Sequence, residues 1–169
     1  IVTKYGKENI GFITPENSKE PGSFEMNKLL QNEVYNSEKS YFHGYFKEGD
    51  FVMRTENKYD GDVIRVNGDC GIINFEKFTD IDKNGKAKPP VTKARISYDS
   101  NKFDLNNHEI IDLIDIKDSF TLNYCNTVHK FQGSQQKIIV FICSPIHKSL
   151  SWGTNRLKLT YTAISRAQQ

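Results

Sequence analysis

The pattern of hydrophobic and polar positions near the start of the chain predicts a strand followed by a helix. Ile10–Thr14 is a short apolar run that ends at Pro15, and a polar turn follows it. Apolar residues then recur at the three- and four-residue spacing of one helical face, which predicts an amphipathic helix over 24–35. A strand, a turn and a helix in this order are typical of a parallel α/β layer. The residues of the helical face are Met26, Leu29, Leu30 and Val34.

The pattern changes near Lys47, where short apolar runs alternate with turn signals. Clusters of glycine, asparagine and aspartate separate the runs about every ten residues, a spacing typical of antiparallel β structure. This middle region is therefore predicted to form a small β-barrel of SH3 size. Its predicted strands lie near 51–55, 71–75, 94–98 and 109–113.

The α/β pattern resumes at about Ser119. Thr121–Gln136 alternates apolar and polar residues before a polar turn, and the apolar run Ile138–Cys143 predicts a buried strand after that turn. Because side chains gather at strand ends in α/β proteins, this turn is a candidate site. It carries hydroxyl, imidazole, ammonium and amide groups within nine residues, on Thr127, His129, Lys130, Gln132, Ser134 and Gln135.

Together the three regions predict an α/β fold that a β insertion interrupts. The first part of the α/β domain is expected at 1–46, the insertion at 47–118 and the remainder of the α/β domain at 119–169. A chain of 169 residues is long enough to bury the core of one domain and carry such an insertion.

Composition is that of an ordinary globular protein, with 37% hydrophobic and 26% charged residues. The net charge of +2 neither supports nor excludes a nucleic-acid partner, because the local field at a groove matters more than the total. The three cysteines form no Cys-x-x-Cys pair and the four histidines are scattered, so no metal site is predicted. No apolar run approaches the ~20 residues that span a membrane, and no signal-peptide pattern is present, so we expect an intracellular protein.

Two segments of the second α/β region resemble conserved helicase motifs. The sequences TVHKFQGSQ at 127–135 and YTAISRA at 161–167 are similar to motifs V and VI of superfamily 1 helicases, most closely the RecD/Pif1-like branch. GDFVMRTENKYDGDVIRVNGDCG at 49–71 resembles the approach to the SH3-like module of that family, and ITPENSKEPGSFEMNKLLQ at 13–31 resembles its motif IV region. The resemblance covers almost the whole chain, and the segments follow the family's order.

The resemblance implies a RecA-like second motor domain interrupted by a small SH3-like β-barrel. In such motors ATP and Mg²⁺ lie between two RecA-like domains, and the first domain supplies the phosphate-binding loop and the magnesium carboxylate. The chain contains no Gly-x-x-x-x-Gly-Lys-Ser/Thr sequence. It is therefore expected to be the C-terminal motor half, with the first RecA-like domain as its partner and with little or no ATP hydrolysis alone.

On this resemblance the nucleotide-binding residues are Gln132, Gly133, Ser134, Gln135 and Arg166. Arg166 would be the arginine finger, the catalytic residue that reaches the γ-phosphate. Such arginines contribute about 10³–10⁵ in rate, because a planar, permanently charged donor stabilises the transferred phosphoryl group. Taken without the motif, Arg166 is equally an exposed arginine at a helix end, where it favours the helix dipole.

The same resemblance assigns Thr127, His129 and Lys130 to the nucleic-acid backbone. Hydroxyl, imidazole and ammonium groups are natural phosphate ligands that carry no base specificity. From the residues alone, the alternative is a polar turn in which His129 caps a backbone group. Single-stranded DNA is the expected strand, in preference to RNA.

Arg54, Asn57 and Tyr59 lie in the stretch before the SH3-like module and are candidates for shaping the nucleic-acid channel. Ordinary turn and strand packing is the alternative for all three. Two positions depart from the family. Gln135 stands where many relatives carry glutamate, and Asn17 stands where many carry an arginine that contacts phosphate.

The predicted function is the C-terminal half of an ATP-dependent DNA helicase that translocates on single-stranded DNA and unwinds duplex. Two alternatives remain open at this point. One is a superfamily 1 RNA helicase fragment, since the same motifs occur there. The other is a non-catalytic RecA-like adaptor for nucleic acid or protein, in which the departures at Asn17 and Gln135 reflect lost activity.

Overall fold

The computed structural model describes residues 4, 9–18, 21–33, 40–41, 45–60, 63–98, 107–132, 135–147 and 154–167. The strands are β1 (Ile10–Thr14), β2 (Ser40–Tyr41), β3 (Phe46–Lys47), β4 (Phe51–Arg54), β5 (Lys58–Asp60), β6 (Val63–Arg65), β7 (Cys70–Phe78), β8 (Val91–Ser97), β9 (His108–Asp112), β10 (Phe120–Leu122), β11 (Cys125–Thr127) and β12 (Ile138–Phe141). The helices are α1 (Ser23–Glu33), α2 (Ile116–Ser119) and α3 (Thr154–Ile164).

The chain divides into two compact units. The first joins Ile1–Asn36 to Asn123–Gln169, and the second is the continuous stretch Ser37–Leu122. The dividing points predicted from sequence were 46/47 and 118/119. The two units divide instead at 36/37 and 122/123. The second point lies after 118/119 because Phe120–Leu122 pairs with β4 and so belongs to the sheet of the second unit.

The first unit is built on three parallel strands in the order β11-β1-β12. Strand β1 lies in the middle, with Phe12 opposite Cys125 on one side and opposite Val140 on the other. The strands predicted at Ile10–Thr14 and within Ile138–Cys143 are both present. Together with α1 and α3 they form the mixed α/β fold that the sequence predicts.

Helix α1 begins at Ser23, in a loop that Asn17 organises. The Ser23 hydroxyl donates to Asn17 Oδ1 at 2.7 Å, and the Phe24 N–H donates to the Asn17 carbonyl at 3.2 Å. Because the first N–H groups of a helix have no acceptor within the helix, these bonds fix where α1 starts. Asn17 therefore has a structural role here.

The buried face of α1 differs from the predicted one. Leu30 is buried as expected, but Leu29 is 48% exposed, and the polar residues Asn27 and Gln31 are buried instead. Val34 lies outside the described residues. The helix is turned in this way because the Asn27 carboxamide is bonded to the start of β11.

The Asn27 carboxamide forms the backbone hydrogen bonds with residues 124 and 125 that a neighbouring strand would otherwise form. Its Oδ1 accepts the N–H groups of Tyr124 at 2.7 Å and Cys125 at 2.8 Å, and its Nδ2 donates to the Cys125 carbonyl at 2.8 Å. A buried amide that satisfies three backbone groups is rigidly held, since each unpaired group would cost about 1–3 kcal/mol. This contact fixes the entry into β11.

The second unit contains a five-stranded sheet in the order β10-β4-β7-β8-β9, with antiparallel pairing throughout. The strands predicted near 51–55, 71–75, 94–98 and 109–113 are confirmed. The pairing of β7 with β8 extends to Phe78 and Val91. Strand β7 is therefore longer than the predicted run 71–75, and β8 begins before the predicted run 94–98. Over the described ranges the sheet is open, with β10 and β9 as its outer strands, and no closed barrel is present.

One face of this sheet carries the core of the second unit. Its buried apolar side chains include Val52, Ile73, Ile96, Phe120 and Leu122, and Ile116 of α2 is also buried. The register places Ile73 opposite Ile96 and Leu122 opposite Val52, so these side chains share one face.

Candidate functional site

The turn that carries the motif V residues follows directly from the carboxyl end of β11. Thr127 lies opposite Thr14 in the parallel register, so β1 and β11 end at the same edge of the sheet. The Val128 N–H donates to the Thr14 carbonyl at 3.0 Å, and the Phe131 N–H donates to the Thr127 carbonyl at 3.0 Å. The first of these bonds ties the start of the turn to the sheet, and the second closes it.

Within this turn the predicted strand-binding residues differ in exposure. Thr127 is buried and its Oγ1 accepts the Lys130 N–H at 3.4 Å, so its hydroxyl contributes to the turn itself. The His129 and Lys130 side chains are exposed. The structure therefore brings the three residues together and presents an imidazole and an ammonium group to solvent.

Phe131, which the sequence analysis did not identify as a site residue, packs the turn against the core of the first unit. It is buried in a cluster with Ile13, Val128 and Ala163. Its ring lies directly against β1 at Gly11, where an added Cβ would be 2.8 Å from Phe131 Cζ and 3.0 Å from Ile139 Cδ1. The missing side chain at Gly11 is the signal that would have indicated this close approach.

Replacing Gly11 by alanine is expected to destabilise the protein by about 1–3 kcal/mol, because the added methyl group overlaps the Phe131 ring and must displace it. The free energy of unfolding, measured by chemical denaturation, checks this. The double variant Gly11→Ala/Phe131→Leu should lose less stability than the sum of the two single variants, because leucine leaves room for the methyl group. Strict additivity would contradict the proposed contact.

The residues predicted to face a nucleotide lie near the amino end of β12. Gln132 and Gln135 are exposed, while Gly133 and Ser134 lie outside the described residues. The Gln136 N–H donates to the Arg166 carbonyl at 3.0 Å, and Gln136 forms a parallel bridge with Ala167. The chain leaving α3 therefore runs beside the start of β12, which brings Arg166 next to Gln135 and Gln136.

Arg166 is held by neutral acceptors of its own helix end. Its Nε donates to the Thr162 carbonyl at 3.2 Å, and its Nη2 donates to Ser165 Oγ at 3.1 Å. No ion pair with a carboxylate is recorded for it among the described residues. A half-buried guanidinium whose described partners are neutral can exchange those partners for an anionic ligand without breaking a described ion pair.

Arg54, predicted to contact nucleic acid, is enclosed in the second unit instead. Its side chain is 1% exposed, and its Nη2 donates to Glu109 Oε1 at 2.6 Å. Its Nε donates to the Tyr98 hydroxyl at 3.2 Å, and its guanidinium lies 4.8 Å from the centre of the Phe120 ring. A guanidinium occupied in this way does not reach a strand at the surface.

Glu109 is the centre of that buried cluster, and the sequence analysis did not identify it. Burial alone would raise the pKa of its carboxyl. Hydrogen bonds from Tyr98, Arg54 and Lys58 outweigh burial, so the pKa is lowered from its ordinary value. Burial and the bond to Glu109 raise the pKa of Tyr98, so its hydroxyl stays protonated and donates to Glu109.

Asn57 and Tyr59, the other two predicted channel residues, are exposed. Asn57 lies just before β5 and Tyr59 lies within it, and β5 pairs with β6 in a separate antiparallel hairpin. Asn57 Nδ2 donates to the Tyr59 hydroxyl at 3.3 Å, and Asn57 Oδ1 accepts the Asn67 N–H at 2.8 Å. The side chain of Asn57 therefore holds both the aromatic ring and the end of the hairpin.

Burial raises the pKa of the Cys125 thiol to about 12, while Cys143 is exposed. Over the described ranges no three residues among His, Cys, Asp and Glu are grouped so as to hold a metal ion. The helices described are all too short or too polar to cross a membrane.

No model of a known protein family matches the chain. Several solved structures are similar to the chain. A Pif1 helicase from Bacteroides, determined in complex with ADP-AlF3 and ssDNA, is 18% identical with a TM-score of 0.50; the match covers 100% of this chain and 40% of that one. A Pif1 helicase from Candida albicans is 16% identical with a TM-score of 0.44, covering 94% of this chain and 43% of that one.

The Bacteroides comparison shows the fold. The parallel sheet and helices of this chain match the RecA-like helicase architecture, which confirms, at the level of the fold, the resemblance inferred from the motifs. The chain spans 40% of the length of the Bacteroides protein.

Proposed function

We propose that the chain is part of an ATP-dependent, Pif1-like superfamily 1 helicase that translocates on single-stranded DNA and unwinds duplex. The observation that carries this proposal is the position of Arg166, a cation without a carboxylate partner among the described residues, beside the turn that bears Gln135. The similar fold of a Pif1 helicase bound to ADP-AlF3 and ssDNA supports it.

In the proposed site the exposed amides of Gln132 and Gln135 bind the nucleotide, together with Gly133 and Ser134, which lie between them in the sequence. A glutamine at 135 still donates and accepts hydrogen bonds at a hydroxyl group, although it lacks the charge of glutamate. Arg166 exchanges its bonds to Thr162 and Ser165 for the terminal phosphate, which is the catalytic role of an arginine finger. ATP enters with Mg²⁺, for which the first RecA-like domain, the proposed partner, supplies the carboxylate.

The strand-binding surface of the first unit consists of His129 and Lys130, held in place by Thr127. Both exposed groups donate to phosphate oxygens, so the contact is independent of sequence. Asn57 and Tyr59 add a second contact in the other unit. We leave Arg54 out of this surface, because its buried guanidinium is bonded to Glu109.

The second unit, Ser37–Leu122, is proposed to be the SH3-like insertion predicted for 47–118, within a RecA-like domain formed by the residues on either side. Its five antiparallel strands and apolar face support this assignment. The long pairing of β7 with β8 gives the insertion a stiff central ribbon.

The proposal is tested by measuring ATP hydrolysis by the full-length protein with single-stranded DNA, single-stranded RNA or no nucleic acid. We expect stimulation by DNA. The double variant His129→Ala/Lys130→Ala should need roughly tenfold or more DNA for half-maximal stimulation, since each removed hydrogen bond to a charged group contributes about 1.5–3 kcal/mol.

Lys158→Ala is the matched control, because Lys158 is an exposed lysine of α3 outside the proposed surface. It should leave the DNA requirement unchanged. Stimulation by RNA instead of DNA would identify an RNA helicase. Strand binding without any hydrolysis would identify an adaptor, and an unchanged DNA requirement in the double variant would remove His129 and Lys130 from the strand-binding surface.

A further inference from the structure

The β5–β6 hairpin is a separate feature of the second unit. It lies in the connection between β4 and β7, and its two strands pair with Lys58 opposite Arg65 and Tyr59 opposite Ile64. Because side chains alternate across a strand, Lys58 and Arg65 point to one face of the hairpin and Tyr59 points to the other. The two faces have different chemistry.

The first face is cationic and anchored. Lys58 Nζ lies 2.9 Å from Glu109 Oε1, and the Arg65 guanidinium lies 4.5 Å from the centre of the Tyr98 ring. A two-stranded hairpin is marginally stable by itself, so contacts of this kind hold it in place. Lys58 and the buried Arg54 both contact the carboxylate of Glu109, while Arg65 lies over the Tyr98 ring. Among these described groups, three cations therefore accompany one carboxylate next to the hairpin.

The opposite face is apolar and aromatic. Tyr59 is 71% exposed and Val66 is 45% exposed. The bond from Asn57 Nδ2 to the Tyr59 hydroxyl restrains the ring without covering it. A restrained, exposed aromatic ring loses little conformational freedom when a flat ligand stacks on it.

We propose that the Tyr59 face of this hairpin is a stacking platform for an unpaired base of single-stranded nucleic acid. Aromatic rings next to positive charge are the features with which proteins bind single strands without sequence preference: the rings stack on bases and the cations attract phosphates. Tyr59 supplies the ring on one face, and Lys58, whose side chain is 41% exposed, and Arg65 supply positive charge on the other face of the same two-stranded hairpin. The inference rests on the proposed strand-binding function and specifies which part of the nucleotide this unit contacts.

The role of Glu109 follows from the same geometry. Its carboxylate accepts from Arg54, Tyr98 and Lys58, so it joins the core of the sheet to the root of the hairpin. Glu109 is a positioning residue: it fixes the position of the hairpin and does not contact the nucleic acid.

The test compares two fluorescent oligonucleotides of equal length, oligo-dT and an abasic strand with the same phosphates. Binding to the full-length protein is measured by anisotropy at fixed salt. Wild type should bind oligo-dT more tightly than the abasic strand. Tyr59→Ala should weaken binding of oligo-dT roughly five- to a hundredfold, the range for loss of one stacked base, and leave binding of the abasic strand unchanged.

Tyr59→Phe keeps the ring and should retain the preference for oligo-dT. Tyr161→Ala, which removes a tyrosine of α3 that is 75% exposed, is the matched control and should also retain it. Oligo-rU should also bind more tightly than an abasic strand, since stacking does not depend on the sugar. A difference in affinity between oligo-rU and oligo-dT would distinguish RNA from DNA.

Equal affinity of wild type and Tyr59→Ala for oligo-dT would overturn the platform and leave the proposed helicase function standing. An equal loss on both strands would also overturn it, because the hairpin would then act through phosphates or through folding. If wild type binds no strand at all, the proposed function itself fails.

Discussion

Replacing Arg166 by alanine is expected to reduce ATP hydrolysis by the full-length protein at least ~10³-fold, because the charge that we propose stabilises the transferred phosphoryl group is lost. The side chain is bonded only to Thr162 and Ser165 in the described structure, so its removal breaks no ion pair recorded there. The folded protein should therefore keep its stability. Steady-state hydrolysis with saturating single-stranded DNA measures the effect, and thermal unfolding measures stability.

Two variants sharpen this prediction. Arg166→Lys keeps a positive charge but loses the planar fork, so hydrolysis should remain strongly reduced. Arg156→Ala removes an exposed arginine of the same helix and should leave hydrolysis unchanged. If Arg166→Ala hydrolyses ATP at the wild-type rate, this half of the protein does not supply the arginine finger, and the adaptor becomes the better description.

Replacing Arg54 by methionine is expected to destabilise the protein by about 3–5 kcal/mol, because the Glu109 carboxylate is then buried without its main partner. Lys58 also contacts Glu109, but its side chain is 41% exposed and compensates only in part. Urea denaturation of the full-length protein, followed by a probe in the second unit, measures the loss.

The matched control is Arg95→Met. Arg95 is also paired with a carboxylate, that of Glu76, at 2.8 Å, but both side chains are partly exposed. Pairs of this kind contribute about 0–1 kcal/mol, so this variant should be close to neutral. The double variant Arg54→Met/Glu109→Leu should recover most of the stability, since no buried charge remains. A neutral Arg54→Met would show that the enclosed pair is not an important contact.

The same pair has a pH dependence with a definite sign. The pKa of Glu109 is lower in the folded protein than in the unfolded chain. Its contribution is therefore fully present above the unfolded value of about 4.3 and is lost as pH falls through the lower folded pKa. The Arg54→Met variant should lose less stability than wild type over that acidic range.

Periodicity was sufficient to predict β1 and α1 of the first unit. The apolar run at Ile10–Thr14 and the helical spacing after Gly22 are local signals, and both elements are present. Which face of the helix is buried was predicted only in part. Asn27 is buried because of backbone groups at 124 and 125, and no local pattern indicates a partner 97 or 98 residues away.

Sequence patterns indicate local relations only, and this limit also applies to the prediction of the site residues. Motif spacing placed His129, Lys130 and Gln135 in one turn, because that relation is local. The neighbourhood of Gln136 and Arg166 depends on how α3 returns to β12, and a resemblance to known motifs was needed to anticipate it. Arg54 illustrates the opposite case: its motif position made it a candidate for the nucleic-acid channel. Its partner Glu109 is 55 residues later, and no local pattern indicates that strand pairing buries it.

The central position of β1 has a consequence for biosynthesis. Both of its neighbours, β11 and β12, are made after the whole of the second unit. At about 5–20 residues per second, β1 leaves the ribosome and waits several seconds before either neighbour exists. The continuous second unit is complete during that interval. An apolar strand with two unpaired edges invites association with other nascent chains, so the first unit is the part whose yield should depend on chaperones and on the speed of translation.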